Sequence, residues 1–277
     1  MRGIRHGVVF VASLAVLATG AASAGDFDHS YARYTEALRS VRPPLVNYAG
    51  LKQNRRVLDL AVAEFATPAA AGEPRWTREE RMAFWINAYN AFTLKAIVDR
   101  YPIRSPWLTL QPRNSIRQID GVWTDLRWQA AGREVTLDDI EHRILRPIFR
   151  DARVHFAVNC ASISCPPLDA QPYRPGTLDV QLDAAARAYL ASRDGVRVDG
   201  QTLLVSSILK WYGDDFVADY APLAPTGPLA ADRAILGVIT RYGPAAAVQL
   251  ARSGRARIRF LDYNWSLNDI GRPPDSR

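Results

Sequence analysis

Apolar residues recur at spacings of three and four over much of the N-terminal half, and this pattern predicts amphipathic helices. Between Phe27 and Phe65 the pattern fits two helices, interrupted at Pro43-Pro44 because the residue before a proline disfavours helical backbone. Thr77 and Glu80 then have the spacing of a capping box, in which each side chain bonds the backbone N–H of the other residue. They predict the start of a long helix that runs to Asp99.

The rest of the chain alternates between short strands and helices. The segments 122–128 and 133–136 flank a glycine-containing turn, as do 196–198 and 203–205, so each pair predicts a β-hairpin. The other predicted elements are a helix from Thr136 through Arg146 that Pro147 bends or ends, a helix from Val180 to Leu190, a helix from Ser206 through Tyr212, a last helix from Ala230 to Tyr242, and a final strand from Arg257 to Tyr263.

The segment from Val154 to Leu168 contains both cysteines and the densest cluster of small polar side chains. Its first half alternates between apolar and polar or small residues, which predicts a short strand, and Pro166-Pro167 forbids ladder hydrogen bonds just beyond it. The polar cluster is therefore expected where a strand ends. Such a position is typical of a functional loop and equally of a turn that a disulfide holds together.

Together these elements predict an α+β fold, a single compact domain of several helices packed on a small, mainly antiparallel sheet. Arg2 and Arg5 precede an apolar run that ends before the small residues Ala22-Ser23-Ala24, which is typical of a secretory signal peptide. Residues 1–24 are therefore predicted as the signal peptide and residues 25–277 as one globular domain. The expected location is periplasmic or secreted, and no later apolar run is long enough to predict stable membrane insertion.

The formal net charge is +7, from 35 Lys and Arg against 28 Asp and Glu. The arginines are interleaved with acidic residues, whereas a nucleic-acid surface needs a basic stripe. We therefore expect no nucleic-acid partner. A small molecule, a peptide or a polysaccharide is the expected kind of ligand.

Cys160 and Cys165 allow three interpretations. In an exported chain they favour a disulfide, which the short gap between them can close if the chain turns back. Alternatively, Cys160 is a nucleophilic thiolate that needs a nearby base. His155 would lie roughly 16 Å away along an extended strand, so the base would have to be His142 or His29. The third interpretation is two free cysteines without a role.

The predicted helix through Trp85 is apolar on most of its surface and is expected to be buried nearly all round. Asn87 and Asn90 then share a face inside the protein, where amides must be hydrogen-bonded. They either tie loops to the helix or orient a ligand or a catalytic imidazole. If they are buried and bonded, Asn87→Leu should destabilise the protein.

Several motifs occur in an order that resembles the family called domain of unknown function 547. They are Phe84 to Ala91, Ile140 to Arg146, Val154 to Ser162 with Ser164 to Pro166, Leu182-Asp183, Ser206 with Lys210 to Tyr212, and Tyr263 to Asn268. Their order and spacing are similar over nearly the whole mature chain. The resemblance implies an exported or otherwise widespread globular domain and brings no biochemical activity with it, so the functional hypotheses come from residue types.

The first hypothesis is a hydrolase or acyl-transfer enzyme that acts on an envelope polymer or a peptide. Its expected catalytic residues are His142, His155, Cys160 and Glu141, with a histidine as base. The order of a helix, a histidine-led strand and a polar turn is similar to papain-like and transglutaminase-like cores, in which a cysteine opens the central helix. Here the corresponding helix carries asparagines and no cysteine, which leaves such a core without its usual nucleophile.

The second hypothesis is a non-catalytic module that binds a sugar or a peptide, because aromatic side chains supply contact area and amides fix orientation. The residues expected to bind a ligand are Asn87, Tyr89, Asn90, Asn159, Ser162, Trp211 and Tyr212. No cofactor is predicted.

A metal site is not predicted, since His142, His155 and Glu141 show no tight ligand spacing. We do predict that His142 and His155 share one site, because a helix ending near Pro147 can be followed by a segment that folds back. Convergence of the two histidines with Asn87 and Cys160 on one cleft would favour an enzyme, and dispersal would favour a binding module.

Overall fold

The computed structural model describes residues 26–224 and 229–271. The predicted signal peptide, residues 1–24, lies outside this range. Within the described residues, no helix is both long and apolar enough to cross a membrane. The described chain is an α+β structure, as the sequence pattern predicts, in which helices predominate and the strands form three small sheets.

The N-terminal region is more interrupted than the predicted pair of helices. Its elements are α1 (Ala32–Leu38), β1 (Val41–Arg42), β2 (Leu45–Val46), α2 (Tyr48–Gln53) and α3 (Arg55–Glu64). The two strands form an antiparallel hairpin whose turn is Pro43-Pro44. Proline cannot continue a helix, and here the chain reverses at the prolines before the next helix begins.

Helix α4 (Arg78–Arg100) is the central element of the fold. The predicted capping box is present, because the Glu80 N–H donates to Thr77 Oγ1 over 3.2 Å and the Thr77 N–H donates to Glu80 Oε2 over 2.8 Å. Every residue from Met82 to Leu94 is buried. The helix therefore runs through the core, as its apolar composition predicts.

The first predicted hairpin and the capped helix after it are both present. Strands β3 (Trp128–Ala130) and β4 (Arg133–Val135) pair antiparallel, and a helix with π-type hydrogen bonds, Asp139–Phe149, follows them. The Asp139 N–H donates to Thr136 Oγ1 over 3.0 Å at the start of this π-helix. The π-helix continues past Pro147, since its wider turn accommodates a residue without an N–H, and it ends at Phe149.

The predicted strand at the start of the cysteine segment is wrong. Residues Ala152–Phe156 form a 3₁₀ helix, and Asp151 Oδ1 accepts a hydrogen bond from the Arg153 N–H over 3.0 Å at its start. All residues from Val154 to Ala157 are buried. Alternation indicates a strand only when one face is exposed, and here neighbouring side chains are all buried, so the alternation of residue types was misleading.

The C-terminal region contains α5 (Leu178–Ala191), β5 (Val196–Asp199), β6 (Thr202–Val205), α6 (Ser207–Trp211), α7 (Val217–Tyr220), α8 (Ala230–Tyr242), α9 (Ala245–Arg252) and β7 (Arg257–Phe260). Strands β5 and β6 form the second predicted hairpin, and β7 pairs with β6 in parallel. The sequence pattern missed α9, whose buried side chains are Ala247 and Ala251. A helix that buries only alanines shows little apolar periodicity.

Buried apolar side chains form two clusters. The first surrounds α4, and the second involves α5, α8 and the sheet of β5, β6 and β7. The 3₁₀ helix Ala152–Phe156 contributes to both, with Val154 in the first cluster and Phe156 in the second. The cysteine segment therefore begins where the two clusters meet.

Candidate active site

A cavity of about 440 Å³ opens beside the cysteine segment. Its wall combines side chains from α4, the π-helix, the cysteine segment, α6 and the segment after β7. The predicted site residues that line it are Tyr89, Glu141, His142, His155, Cys160, Trp211 and Tyr212. The fold thus gathers on one surface most of the chemically useful residues that the sequence pattern identified.

Cys160 and Cys165 are free thiols in the structure, and their sulfur atoms lie 2.8 Å apart. A disulfide bond is roughly 2.05 Å long, so the two sulfurs are in contact without being bonded. The Cys160 N–H also donates to the Cys165 sulfur over 2.9 Å. Cys165 is buried and Cys160 is half-buried, so Cys160 is the more accessible thiol. The chain turns back as a disulfide would require, and the disulfide itself stays a prediction.

Three side chains surround the sulfur of Cys160 and can donate to it once it is ionised. The hydroxyls of Ser162 and Tyr263 each lie 3.2 Å from it, and the thiol of Cys165 is the third. The hydrogen bond from Cys165, followed by those from the two hydroxyls, lowers the pKa of Cys160 although burial acts in the opposite direction. Burial raises the pKa of Cys165 well above its usual range. Cys160 therefore ionises first while Cys165 keeps its proton.

We predict that iodoacetamide alkylates Cys160 of the reduced protein with a pH midpoint below about 8.5, the ordinary cysteine value. Tyr263→Phe should raise this midpoint, because it removes a donor to the thiolate. Tyr220→Phe is the matched control, since the Tyr220 hydroxyl lies 3.3 Å from that of Tyr242 in the second core cluster. A midpoint at or above about 8.5 in the unsubstituted protein would contradict the lowered pKa.

The two histidines of the cavity belong to one polar network, although they lie on different helices. The ring of His155 is buried, and its Nε2 lies 2.8 Å from Asp215 Oδ2. Arg146 donates to both oxygens of Asp215, over 2.6 and 3.0 Å, and its Nη1 lies 2.7 Å from His142 Nδ1. The ring of Tyr212 stacks on that of His155 with centres 3.9 Å apart and on that of His142 at 6.4 Å.

Asp215 fixes the protonation of this network. A hydrogen bond from His155, and then the Arg146 guanidinium, hold the pKa of Asp215 well below its usual range. The carboxylate is therefore ionised, and the His155 ring directs its Nε2–H at it. Nδ1 of His155 is buried and lacks a hydrogen-bond partner within the described residues. A ring held in this way positions its neighbour Tyr212 and is poorly placed to exchange protons with a ligand.

His142 is the more accessible histidine, with its side chain 36% exposed. Nδ1 accepts from the Arg146 guanidinium, which assigns the proton of the neutral ring to Nε2. Nε2 lies 3.6 Å from Asp138 Oδ1, so a carboxylate stands beside the proton that the ring can donate. Of the two histidines, His142 is therefore the one whose ring N–H can donate a hydrogen bond to a group in the cavity.

Glu141 contributes a carboxylate to the same wall. It is buried, and it accepts a hydrogen bond from the Tyr89 hydroxyl over 3.1 Å. Its charge opposes ionisation of Cys160, although less than the three donors favour it. Within the described residues, no group of three His, Cys, Asp or Glu side chains is placed to hold a metal ion.

Asn87 and Asn90 do not line the cavity. Asn87 Nδ2 donates to the Tyr173 carbonyl over 2.8 Å, and Asn87 Oδ1 accepts from the Tyr173 N–H over 2.9 Å. Asn90 Nδ2 donates to the Ala157 carbonyl over 2.9 Å, and Asn90 Oδ1 accepts from the Asn159 N–H over 2.8 Å. Both amides tie loops to α4, which is the structural one of the two roles predicted for them.

Asn159 and Ser162 act inside the cysteine segment. Asn159 Nδ2 donates to the Pro166 carbonyl over 2.7 Å, and its Oδ1 accepts from the Ala161 N–H over 2.9 Å. This brace shapes the turn and leaves Asn159 outside the cavity wall. Ser162 is buried and contacts the Cys160 sulfur, so its position suits thiolate stabilisation better than the predicted contact with a ligand.

Sequence reasoning missed three residues on which the site depends: Arg146, Asp215 and Tyr263. Tyr263 reaches Cys160 across 103 positions of sequence, and Asp215 reaches His155 across 60. No spacing rule connects residues so far apart. The available signal was the place of Arg146 and Tyr263 in motifs that resemble those of a known family, and the sequence offers no comparable signal for Asp215.

The fold and the cavity define an α+β protein in which a thiol, a carboxylate and an imidazole line one cavity. Residues 74–190 match the model of the family described as "Protein of unknown function, DUF547", so this part of the chain is similar to that family. The match includes both cysteines and Glu141, whereas Asp215, Trp211 and the segment after β7 lie beyond it. No curated protein and no solved structure matches the chain.

Proposed function

We propose that the protein is a thiol-dependent hydrolase or acyl transferase that acts on a peptide or an envelope polymer, with Cys160 as its nucleophile. The observation that carries this proposal is the position of the Cys160 sulfur, in the cavity wall and among three side chains that can donate to its thiolate. The thiolate is the reactive form of cysteine, and such donors stabilise it without a histidine in contact.

In the proposed reaction, the Cys160 thiolate attacks a carbonyl carbon of the ligand. The bond to the leaving nitrogen or oxygen breaks, the departing atom takes a proton from water, and the Nε2–H of His142 donates a hydrogen bond to it. Tyr263 loses its thiolate partner once the sulfur–carbon bond forms, so its hydroxyl can donate to the oxyanion of the tetrahedral intermediate. Water or a second nucleophile then cleaves the thioester, and Glu141 is the carboxylate that accepts the proton released.

An activated ester tests the nucleophile directly. The reduced protein should release p-nitrophenolate from p-nitrophenyl acetate and acquire one acetyl group, which peptide mapping should place on Cys160. Cys160→Ser should lower the rate at least about 100-fold, because a serine hydroxyl without a base in contact is not ionised. His142→Gln should slow turnover with amide substrates more than with this ester, whose leaving group is stable without a hydrogen bond. Acetylation elsewhere, or full activity of Cys160→Ser, would exclude the proposed nucleophile.

A non-catalytic role in binding a sugar or a peptide is the second candidate, and the aromatic part of the cavity wall favours it. Trp211 is 47% exposed although it packs against Tyr263 and Trp265, with ring centres 4.8 and 5.9 Å away. An exposed indole in a concave wall offers a face on which a sugar ring or a peptide side chain can stack.

Binding to purified peptidoglycan distinguishes this candidate from the enzyme. For a binding module, Trp211→Ala should weaken retention on the polymer at least about tenfold while Cys160→Ser has no effect. Trp107→Ala is the control, because Trp107 is 85% exposed and lies outside the cavity wall. Equal retention of all three variants would argue against polymer binding in the cavity.

We also propose that residues 1–24 direct export to the periplasm or the exterior and are removed there. N-terminal sequencing of the exported protein should then begin at Gly25. In an oxidising compartment, Cys160 and Cys165 are expected to pair, and thiol titration of the denatured, unreduced protein should find no free thiol. The acyl-transfer activity would then require reduction of the pair.

A further inference from the structure

The second thiol of the site has no part in acyl transfer. One nucleophile is enough for a thioester mechanism, yet the Cys165 sulfur lies 2.8 Å from that of Cys160 and also accepts the Cys160 N–H. The turn between them holds Ala161 at a left-handed φ of 59°, and the Asn159 side chain braces the same turn. The chain is therefore built to keep the two sulfurs in contact.

The two thiols also differ in access and in protonation. Both cysteines line the cavity, but Cys160 is half-buried and has the lower pKa, whereas Cys165 is buried and has its pKa raised. An incoming ligand therefore meets Cys160 first. Cys165 is placed to react with a group already attached to Cys160.

We propose that this pair carries out thiol–disulfide exchange with a peptide or small-molecule disulfide that enters the cavity, with Cys160 as the attacking thiol and Cys165 as the resolving thiol. The proposed exchange does not depend on the acyl-transfer activity. The exchange uses the accessible sulfur of Cys160, as acyl transfer does, and in addition the buried sulfur of Cys165.

The exchange has two steps. The Cys160 thiolate attacks one sulfur of the ligand disulfide, the ligand S–S bond breaks, and the first half of the ligand leaves as a thiolate that takes a proton. Cys165 then loses its proton, and its sulfur attacks the Cys160 sulfur. The mixed disulfide breaks and the second half of the ligand leaves as a thiol. Two electrons pass from the protein to the ligand, and an external dithiol returns them by the reverse steps.

The geometry suits both steps. Ser162 and Tyr263 stabilise the attacking thiolate from 3.2 Å each. In the second step the two protein sulfurs must approach by less than about 1 Å to reach bonding distance. The exposed ring of Trp211 and the cationic Arg117 in the same wall offer contacts to the organic part of the ligand. A purely structural disulfide would need neither the opening into a cavity nor the surrounding donors.

Oxidised glutathione is the probe for the test. The full-length mature protein is reduced with dithiothreitol under native conditions, desalted, incubated with oxidised glutathione and analysed by intact-mass spectrometry. The native sequence should form an internal disulfide and retain no glutathione. Cys165→Ser should retain one glutathione on Cys160, because the resolving step is lost. Cys160→Ser should react at least about tenfold more slowly, since its remaining thiol is buried and protonated.

Ser162→Ala keeps both thiols and serves as the check against misfolding of the cysteine variants. It should slow the first step a few-fold without changing the products. A stable glutathione adduct on the native sequence, the absence of an adduct on Cys165→Ser, or a Cys160–Cys165 bond that native dithiothreitol leaves intact would each overturn the proposal. Since Cys165→Ser retains the acyl-transfer nucleophile, acetylation of that variant reports the acyl-transfer function separately.

Discussion

Replacing Asn87 with leucine should lower the free energy of unfolding by about 2–6 kcal/mol, because it orphans two buried backbone groups at about 1–3 kcal/mol each. Asn87 is fully buried on α4, and its amide satisfies both the N–H and the carbonyl of Tyr173. Leucine has a similar volume but can replace neither hydrogen bond. Typical domains are stable by about 5–15 kcal/mol, so this single substitution should remove a large part of the total.

Urea denaturation followed by circular dichroism measures this effect. Asn54→Leu is the matched control, since it makes the same chemical change at an exposed asparagine at the start of α3, whose side chain makes no capping hydrogen bond. The control should change the free energy of unfolding by less than about 0.5 kcal/mol. If Asn87→Leu were no more destabilising than Asn54→Leu, the amide of Asn87 would not be holding the Tyr173 loop.

Elements with local chemical signals were predictable from the sequence. The capping boxes of Thr77 with Glu80 and of Thr136 with Asp139 mark helix starts that the structure confirms. The two predicted hairpins are also present, each around a glycine-containing turn. The 3₁₀ helix Ala152–Phe156 was not predictable in this way. Its side chains are buried between two core clusters, so tertiary packing and not local periodicity decides its conformation.

The candidate site was predictable in composition but not in its connections. Cys160, Glu141 and both histidines were identified by residue type, and the fold places all four on one cavity. Their partners come from remote parts of the chain, because Asp215 lies on the 3₁₀ turn after α6 and Tyr263 follows β7. Asparagine was ambiguous for a physical reason. A buried amide must be bonded whether its partner is a loop or a ligand, and only the fold shows which one it meets.

The cavity has a thiol side and an imidazole side. Asp215 is important for the imidazole side, and the sequence did not indicate this. On one side, Cys160 is surrounded by hydroxyl and thiol donors. On the other side, the Asp215 carboxylate accepts from His155 and Arg146, and Arg146 in turn donates to His142. Tyr212 contacts both imidazoles, so the orientation of this side depends on a carboxylate outside the cavity lining.

Asp215→Asn should therefore lower the free energy of unfolding by about 1–3 kcal/mol at pH 7. This range lies between the typical cost of breaking an exposed ion pair and that of breaking a buried one. The folded pKa of Asp215 is depressed, chiefly by the hydrogen bond from His155 and then by Arg146. Its contribution to stability is fully present above the unfolded pKa of about 3.9 and is lost as the pH falls below that value toward the folded pKa. The difference between the native sequence and Asp215→Asn should shrink correspondingly below about pH 4.

Asp214→Asn is the control for this prediction, because Asp214 is the adjacent residue, carries the same charge and is exposed. Urea denaturation of all three proteins at pH 7, 5 and 3 separates the partnered carboxylate from a general charge effect. Asp214→Asn should follow the native sequence at every pH, whereas Asp215→Asn should differ at pH 7 and 5 and approach it at pH 3. A constant difference down to pH 3 would mean that lost packing, and not the ionised carboxylate, causes the effect. Equal stability at pH 7 would show that the Arg146 and His155 contacts contribute nothing to folding.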